Sequence, residues 1–245
     1  MEWFDCNTEF GIPTKPPGRF APTPHELLDE MDFCGVQDAL VRHAATRDES
    51  AQAGNRLVCE ETVDARRLHP VWAVLPPQTS ELGTLDEWFA AMRAHRVKAL
   101  IAYPDKHRYL LNGLTFGPVF EEMSARRIPL ILGPDWRTIA ETLADFPQLT
   151  VIATNHSSWG DDRSFRPLLD RYERFHVDTA SYDLDGGVAD LVKRYGPHRL
   201  VYGSNYPIMQ MGGSILTVAQ ADIDDDARAA IAGGNLRRLL SEVKL

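Results

Sequence analysis

Arg199-Leu-Val-Tyr-Gly-Ser-Asn-Tyr-Pro207 carries the clearest strand-end pattern in the chain. Leu200 to Tyr202 is a short apolar run. Gly203-Ser204 breaks it, Asn205 follows, and Pro207 cannot continue a ladder of backbone hydrogen bonds. This is the pattern of a buried parallel strand whose C-terminal end releases one polar side chain into a loop.

The pattern recurs seven more times upstream. Apolar runs at Trp3–Asn7, Val36–Val41, Val71–Leu75, Val97–Ala102, Ile128–Leu132, Thr150–Thr154 and Phe175–Val177 are each followed by a polar or Pro-bearing loop. Between them lie segments of helical period. Thr23-Pro24-His25-Glu26 is a helix start with an N-cap, a first-turn Pro and an acidic residue, and Gly35 is its stop. Further helices are expected at Asn55–Arg67, Leu85–His95, Phe116–Arg126, Ile139–Phe146, Phe165–Tyr172, Val188–Tyr195 and Asp224–Leu240. Strands alternating with helices predict an α/β domain with parallel strands and right-handed crossovers. Eight units favour one closed (β/α)8 TIM barrel over residues 1–245, with an open doubly wound sheet as the alternative. The Pro-rich segment Ile12–Thr23 is expected to cross the barrel mouth.

Composition narrows the function classes. The net charge is −9, from 35 acidic and 26 basic residues, and no basic block stands out, which argues against nucleic acid as a partner. No apolar run approaches ~20 residues, so no membrane span is expected. The N-terminus lacks a basic segment followed by an apolar one, and Cys6, Cys34 and Cys59 are odd in number and widely spaced. Both features suit a cytoplasmic chain with reduced thiols. Neither Gly-x-Gly-x-x-Gly nor Gly-x-x-x-x-Gly-Lys occurs, which disfavours dinucleotide and P-loop sites. The expected partner is a small molecule, with a homo-oligomer possible.

Gly203-Ser-Asn-Tyr-Pro207 also resembles the last-strand signature of the amidohydrolase-related TIM-barrel family, the branch that includes amino-carboxymuconate-semialdehyde decarboxylase. Thr23 to Gly35, Leu68-His-Pro-Val-Trp-Ala-Val-Leu-Pro76 and Ile231-Ala-Gly-Gly-Asn-Leu-Arg-Arg-Leu-Leu240 are similar to that family's first helix, third strand and closing helix. The resemblance implies a metal-dependent hydrolase-like barrel that hydrolyses or decarboxylates small polar or cyclic substrates. The family opens with Asp-x-His-x-His, whereas this chain has Asp5-Cys6-Asn7-Thr8-Glu9. Its later ligand positions fall at Gly133 and Asn155, with His156 one residue on, and its last-strand Asp falls at Asn205. Amides are poor zinc ligands and have no useful pKa for base catalysis. The expectation is therefore that the usual metal is absent. In the variant reading, zinc or manganese sits in a site rebuilt from Glu9, His43, His156 and Asp178.

His156, Glu9 and Asp178 are the proposed proton-moving set, because a His near neutral pKa and mouth carboxylates suit that work. The bland alternatives are an outward His bonded to a loop carbonyl, a solvated Glu and a structural Asp cap. Asn7, Asn155 and Asn205 are expected to position substrate with His43, Tyr103, Asp135 and Trp136, although the amides could equally satisfy one another and Trp136 could simply pack. Two functions follow, an amidohydrolase-like hydrolase or decarboxylase, towards which the reading leans, and a non-catalytic barrel that binds a metabolite or partner. Convergence of Glu9, His156 and Asp178 in one pocket separates them.

Overall fold

The computed structural model describes all 245 residues. Eight parallel strands run in sequence order: β1 (Trp3–Phe10), β2 (Val36–His43), β3 (Leu68–Ala73), β4 (Ala99–Ala102), β5 (Leu130–Leu132), β6 (Val151–Ala153), β7 (Phe175–Asp178) and β8 (Leu200–Val201). Each pairs with the next. The ring comes round between β8 and β1, where the Cys6 amide donates to the Tyr202 carbonyl at 3.0 Å and the Glu9 amide to the Tyr206 carbonyl at 3.0 Å. This is the nearly closed TIM barrel that the alternation predicts, rather than an open sheet.

Strand pleating divides the apolar residues between two cores. Leu40, Ile101, Ile131, Ile152 and Val201 fill the barrel interior with Phe4 and Cys6. Their neighbours Val41, Leu100, Leu130, Val151 and Leu200 face the surrounding helices.

The helix boundaries differ from expectation in instructive ways. Thr23 and Glu26 form a reciprocal capping box on the helix Pro24–Cys34, and Gly35 ends it at φ 76°. The second long helix runs Ala51–Glu61, not Asn55–Arg67, because Ser50 caps it by accepting from the Ala53 amide at 3.3 Å. A helix at Met211–Ala219, absent from the sequence reading, follows β8. The last helical segment carries a π-turn at Ala230–Gly234. There the Ile231 carbonyl accepts from the Tyr202 backbone amide at 3.0 Å, and the Asn235 side-chain Nδ2 donates to the Leu200 carbonyl at 2.8 Å. The closing helix is thereby fastened to the last strand.

Candidate functional site

A cavity of about 580 Å3 opens at the C-terminal ends of the strands, within the ordinary range for a small-molecule site. It is lined from β1 by Asn7 and Glu9, from β2 and the turn after it by Arg42 and Arg47, and after β4 by Tyr103 and Lys106. Gly133, Asp135 and Thr138 border it after β5, Thr154 and Asn155 after β6, and Asn205 and Ile208 after β8. Ile101, Leu111, Leu132 and Ile139 form its apolar side.

Local backbone decides which side chains arrive there. Phe4 and Cys6 point into the barrel, and strict alternation would send Asn7 and Glu9 outward. A register shift between Asp5 and Thr8 in the β1–β2 pairing changes the parity, so Asn7 and Glu9 face the mouth. On β2, Leu40 and Arg42 share the inner face, and His43 turns away. Asn155 and Asn205 both adopt left-handed backbone, at φ 61° and 57°, a conformation asparagine tolerates better than most residues.

Arg42 is the hub. Its Nε donates to Glu9 Oε2 at 3.2 Å, and its Nη1 to Asn7 Oδ1 at 2.8 Å and the Thr8 carbonyl at 3.3 Å. Arg47 Nη1 donates to the same Glu9 oxygen at 2.8 Å, while its other nitrogens hold Asp48. A guanidinium only donates, so Asn7 Oδ1 must be the acceptor and Asn7 Nδ2 the donor. That nitrogen bonds Asn155 Oδ1 at 2.7 Å and Asp178 Oδ2 at 3.3 Å. Asn155 then presents its own Nδ2, which has no protein partner. Arg42 Nη2 and the buried Tyr103 hydroxyl also lack one. Burial pushes the Tyr103 hydroxyl up to about 12 against the pull of Arg42, so it keeps its proton at neutral pH.

Asp178 lies under this floor, fully buried, with Oδ1 accepting from the Asn155 amide at 3.1 Å. Burial raises it to about 7 despite the Asn7 and Asn155 donors. Asp5 is raised to about 6 for the same reason; its Oδ1 accepts from the Asn7 and Ser204 amides, each at 2.9 Å.

Of the residues singled out in the sequence, Glu9, Asn7, Tyr103, Asp135, Asn155 and Asn205 line the cavity, and Asp178 supports it from below. The other three do not reach it. His156 is wholly enclosed among Trp136, Phe165 and Tyr182, with Nε2 at 2.6 Å from the Asp178 carbonyl. Burial holds its imidazole below the usual range. His43 packs edge-on against Phe10 and accepts from the Ala45 amide at 3.1 Å. Trp136 donates to Asp161 at 3.0 Å and packs beside His156. All three side chains pack and bond away from the cavity. Arg42 and Arg47 were not chosen in the sequence, although the strand that delivers His43 also delivers Arg42. No residue of Ile12–Thr23 lines the cavity.

The rebuilt metal set fails for the same reason of parity. Glu9 faces the mouth, Asp178 lies beneath it, and His43 and His156 face outward. No three His, Cys, Asp or Glu side chains come together as a metal-ligand group. Asn7 Oδ1 and one Glu9 oxygen are already held by guanidinium. The residues present do not fit a divalent metal.

No curated protein matches the sequence significantly. Solved structures match the fold. 5-Carboxyvanillate decarboxylase from Sphingomonas paucimobilis is 16% identical, with 99% of each chain covered and a TM-score of 0.71. A dihydroxybenzoic acid decarboxylase from Polaromonas sp. JS666, with bound manganese and 2-nitroresorcinol, is 14% identical, covering 98% of this chain and 97% of that one at 0.73. A probable 2-pyrone-4,6-dicarboxylic acid hydrolase from Acinetobacter baumannii, with citric acid bound, is 11% identical, covering 98% and 100%, also at 0.73. A family model described as amidohydrolase matches residues 5–241, nearly the whole chain. This chain is a member of the amidohydrolase family.

Proposed function

We propose that the barrel mouth holds one small cyclic acid and decarboxylates it without the family's metal. The observation that carries this is the pairing, in one cavity, of a buried guanidinium with an unspent edge and a buried tyrosine hydroxyl with no partner. Loss of CO2 leaves an electron pair on carbon, which needs a nearby positive charge and then a proton. Arg42 supplies the charge and Tyr103 the proton. Hydrolysis instead needs an activated water, and one oxygen of Glu9, the carboxylate best placed at the mouth, is occupied by two guanidiniums. The apolar side from Ile101 to Ile139 suits a ring. The structurally similar decarboxylases and hydrolase are named for ring acids, which supports the size and class.

A second reading is a barrel that holds such an acid without turning it over. The outward His156 favours it, because the expected convergence of Glu9, His156 and Asp178 does not occur. One experiment separates the two. Protein is incubated with 5-carboxyvanillate, 2,6-dihydroxybenzoate and 2-pyrone-4,6-dicarboxylate, with and without chelator, while CO2 release and binding heat are followed. Turnover unaffected by chelator supports the enzyme, and binding without turnover supports the holder. Absence of binding by all three overturns both.

A further inference from the structure

Arg42 occupies an unusual place for a charged side chain. It is buried at the base of the mouth, and its guanidinium bridges Asn7 and Glu9, the β1 residues that face the cavity. The donors and acceptors left over around it are unequal. Asn7 is fully engaged: Oδ1 takes Arg42, and Nδ2 gives to Asn155 and Asp178. This orientation is forced, because arginine cannot accept, and it leaves Asn155 with a free Nδ2. Arg42 Nη2, Asn155 Nδ2 and the Tyr103 hydroxyl are therefore unspent donors on one cavity. Glu9 Oε2 already serves both Arg42 and Arg47, so the acid nearest these donors is partly neutralised, and its Oε1 is left as an acceptor outnumbered by them. A ligand that completes the arrangement must accept hydrogen bonds, and charge makes an oxygen anion the best acceptor.

We propose that Arg42 is this site's cation, built into the chain: its Nη2 edge and the Asn155 amide, held on either side of Asn7, bind an oxygen anion of the ligand, and its fixed charge keeps divalent metal out. The inference rests on the reading of the mouth as a ligand site, and it assigns that site's ligand class. Geometry supports the exclusion as well as the binding. A metal would have to displace a guanidinium that makes three hydrogen bonds, and it would find amides where it needs imidazole or carboxylate. Unlike a metal, this cation is not lost to chelators and does not depend on supply.

The test compares 2,6-dihydroxybenzoate with its neutral analogue 2,6-dihydroxybenzamide by titration calorimetry, and follows manganese uptake by the same protein. The acid is expected to bind at least ~10-fold more tightly than the amide, the range of a charge-assisted bond in a partly buried site. In Arg42→Gln that preference should fall to about threefold or less, with amide binding little changed. Arg42→Lys, which keeps the charge that Glu9 needs, serves if the glutamine variant does not fold; it should weaken the acid more than the amide. Wild-type protein should take up no stoichiometric manganese. Equal binding of acid and amide, or an Arg42 variant that keeps the full preference, overturns the inference and leaves the mouth standing as a ligand site. Stoichiometric manganese in the wild type also overturns it. If neither compound binds, the inference and the mouth reading fall together.

Discussion

Glu9 and Arg42 stand opposite one another in the register of β1 and β2, and an ion pair of 3.2 Å joins them inside the barrel mouth. Both are buried, so removing one member leaves the other poorly solvated. Arg42→Met would strip Glu9 of one of its two cations and Asn7 Oδ1 of its donor. The expected loss of stability is about 3–5 kcal/mol, the usual consequence of breaking a buried pair. Arg42→Lys should recover part of it. Urea unfolding of the three proteins measures this, and a loss below about 1 kcal/mol for the methionine variant would show that Arg47 alone suffices for Glu9.

Asp178 gives the fold a pH dependence. Its carboxyl is raised from 3.8 to about 7, chiefly by burial. The folded chain therefore holds this proton more tightly than the unfolded chain, and stability falls as pH rises from about 4 to about 7 before levelling. Asp178→Asn cannot ionise. The stability of wild type minus that of the variant should thus decline by a few kcal/mol between pH 4 and pH 8. A difference that grows with pH would mean that the Asn7 and Asn155 donors hold the carboxylate ionised.

Asn155 and His156 are neighbours in sequence that face opposite sides, one the cavity and the other Phe165 and Tyr182. His156→Phe fills similar space among Trp136, Phe165 and Tyr182 but loses the bond to the Asp178 carbonyl, so it should cost about 1–2 kcal/mol and leave ligand affinity nearly unchanged. Asn155→Gly keeps the positive φ and removes the amide at the cavity, so affinity should drop several-fold with little change in stability. Thermal unfolding and calorimetry on both variants decide it. Reversed effects would place the working residue at 156.

These two positions also explain what the sequence could show. Alternating apolar runs and helical periods carry the barrel, because burial of the strands and one helix face is written in residue type. Facing is written only in parity, and a one-residue error moves a side chain to the other side of the sheet. His43 and His156 drew attention for their chemistry, while Arg42 and Asn155, one residue earlier in each case, face the cavity. The register shift at Asp5–Thr8 leaves no mark in composition, yet it turns Asn7 and Glu9 inward. The helix Met211–Ala219 escaped notice because Gly212, Gly213 and the three β-branched residues Ile215, Thr217 and Val218 argue against helix, and packing overrides them.

Gly203 tests how tightly the floor of the site is built. A Cβ there would lie 2.7 Å from Asp178 Oδ2 and 3.0 Å from Cys6 Sγ, with the Asp178 Cβ at 3.1 Å. Asp178 cannot retreat without loosening its grip on the Asn155 amide and on Asn7, because it is enclosed on all sides. Gly203→Ala should therefore cost about 1–3 kcal/mol, in the range of an overpacked core. It should also weaken ligand binding, since Asn7 orients Arg42. Gly212→Ala is the control, because its Cβ would meet nothing within 4 Å and the residue lies in a helix. That change should stabilise by about 0.5–1 kcal/mol and leave binding alone. If Gly203→Ala destabilises but binds ligand normally, the floor under Asn7 is deformable and the orientation of Arg42 is set by Glu9 instead.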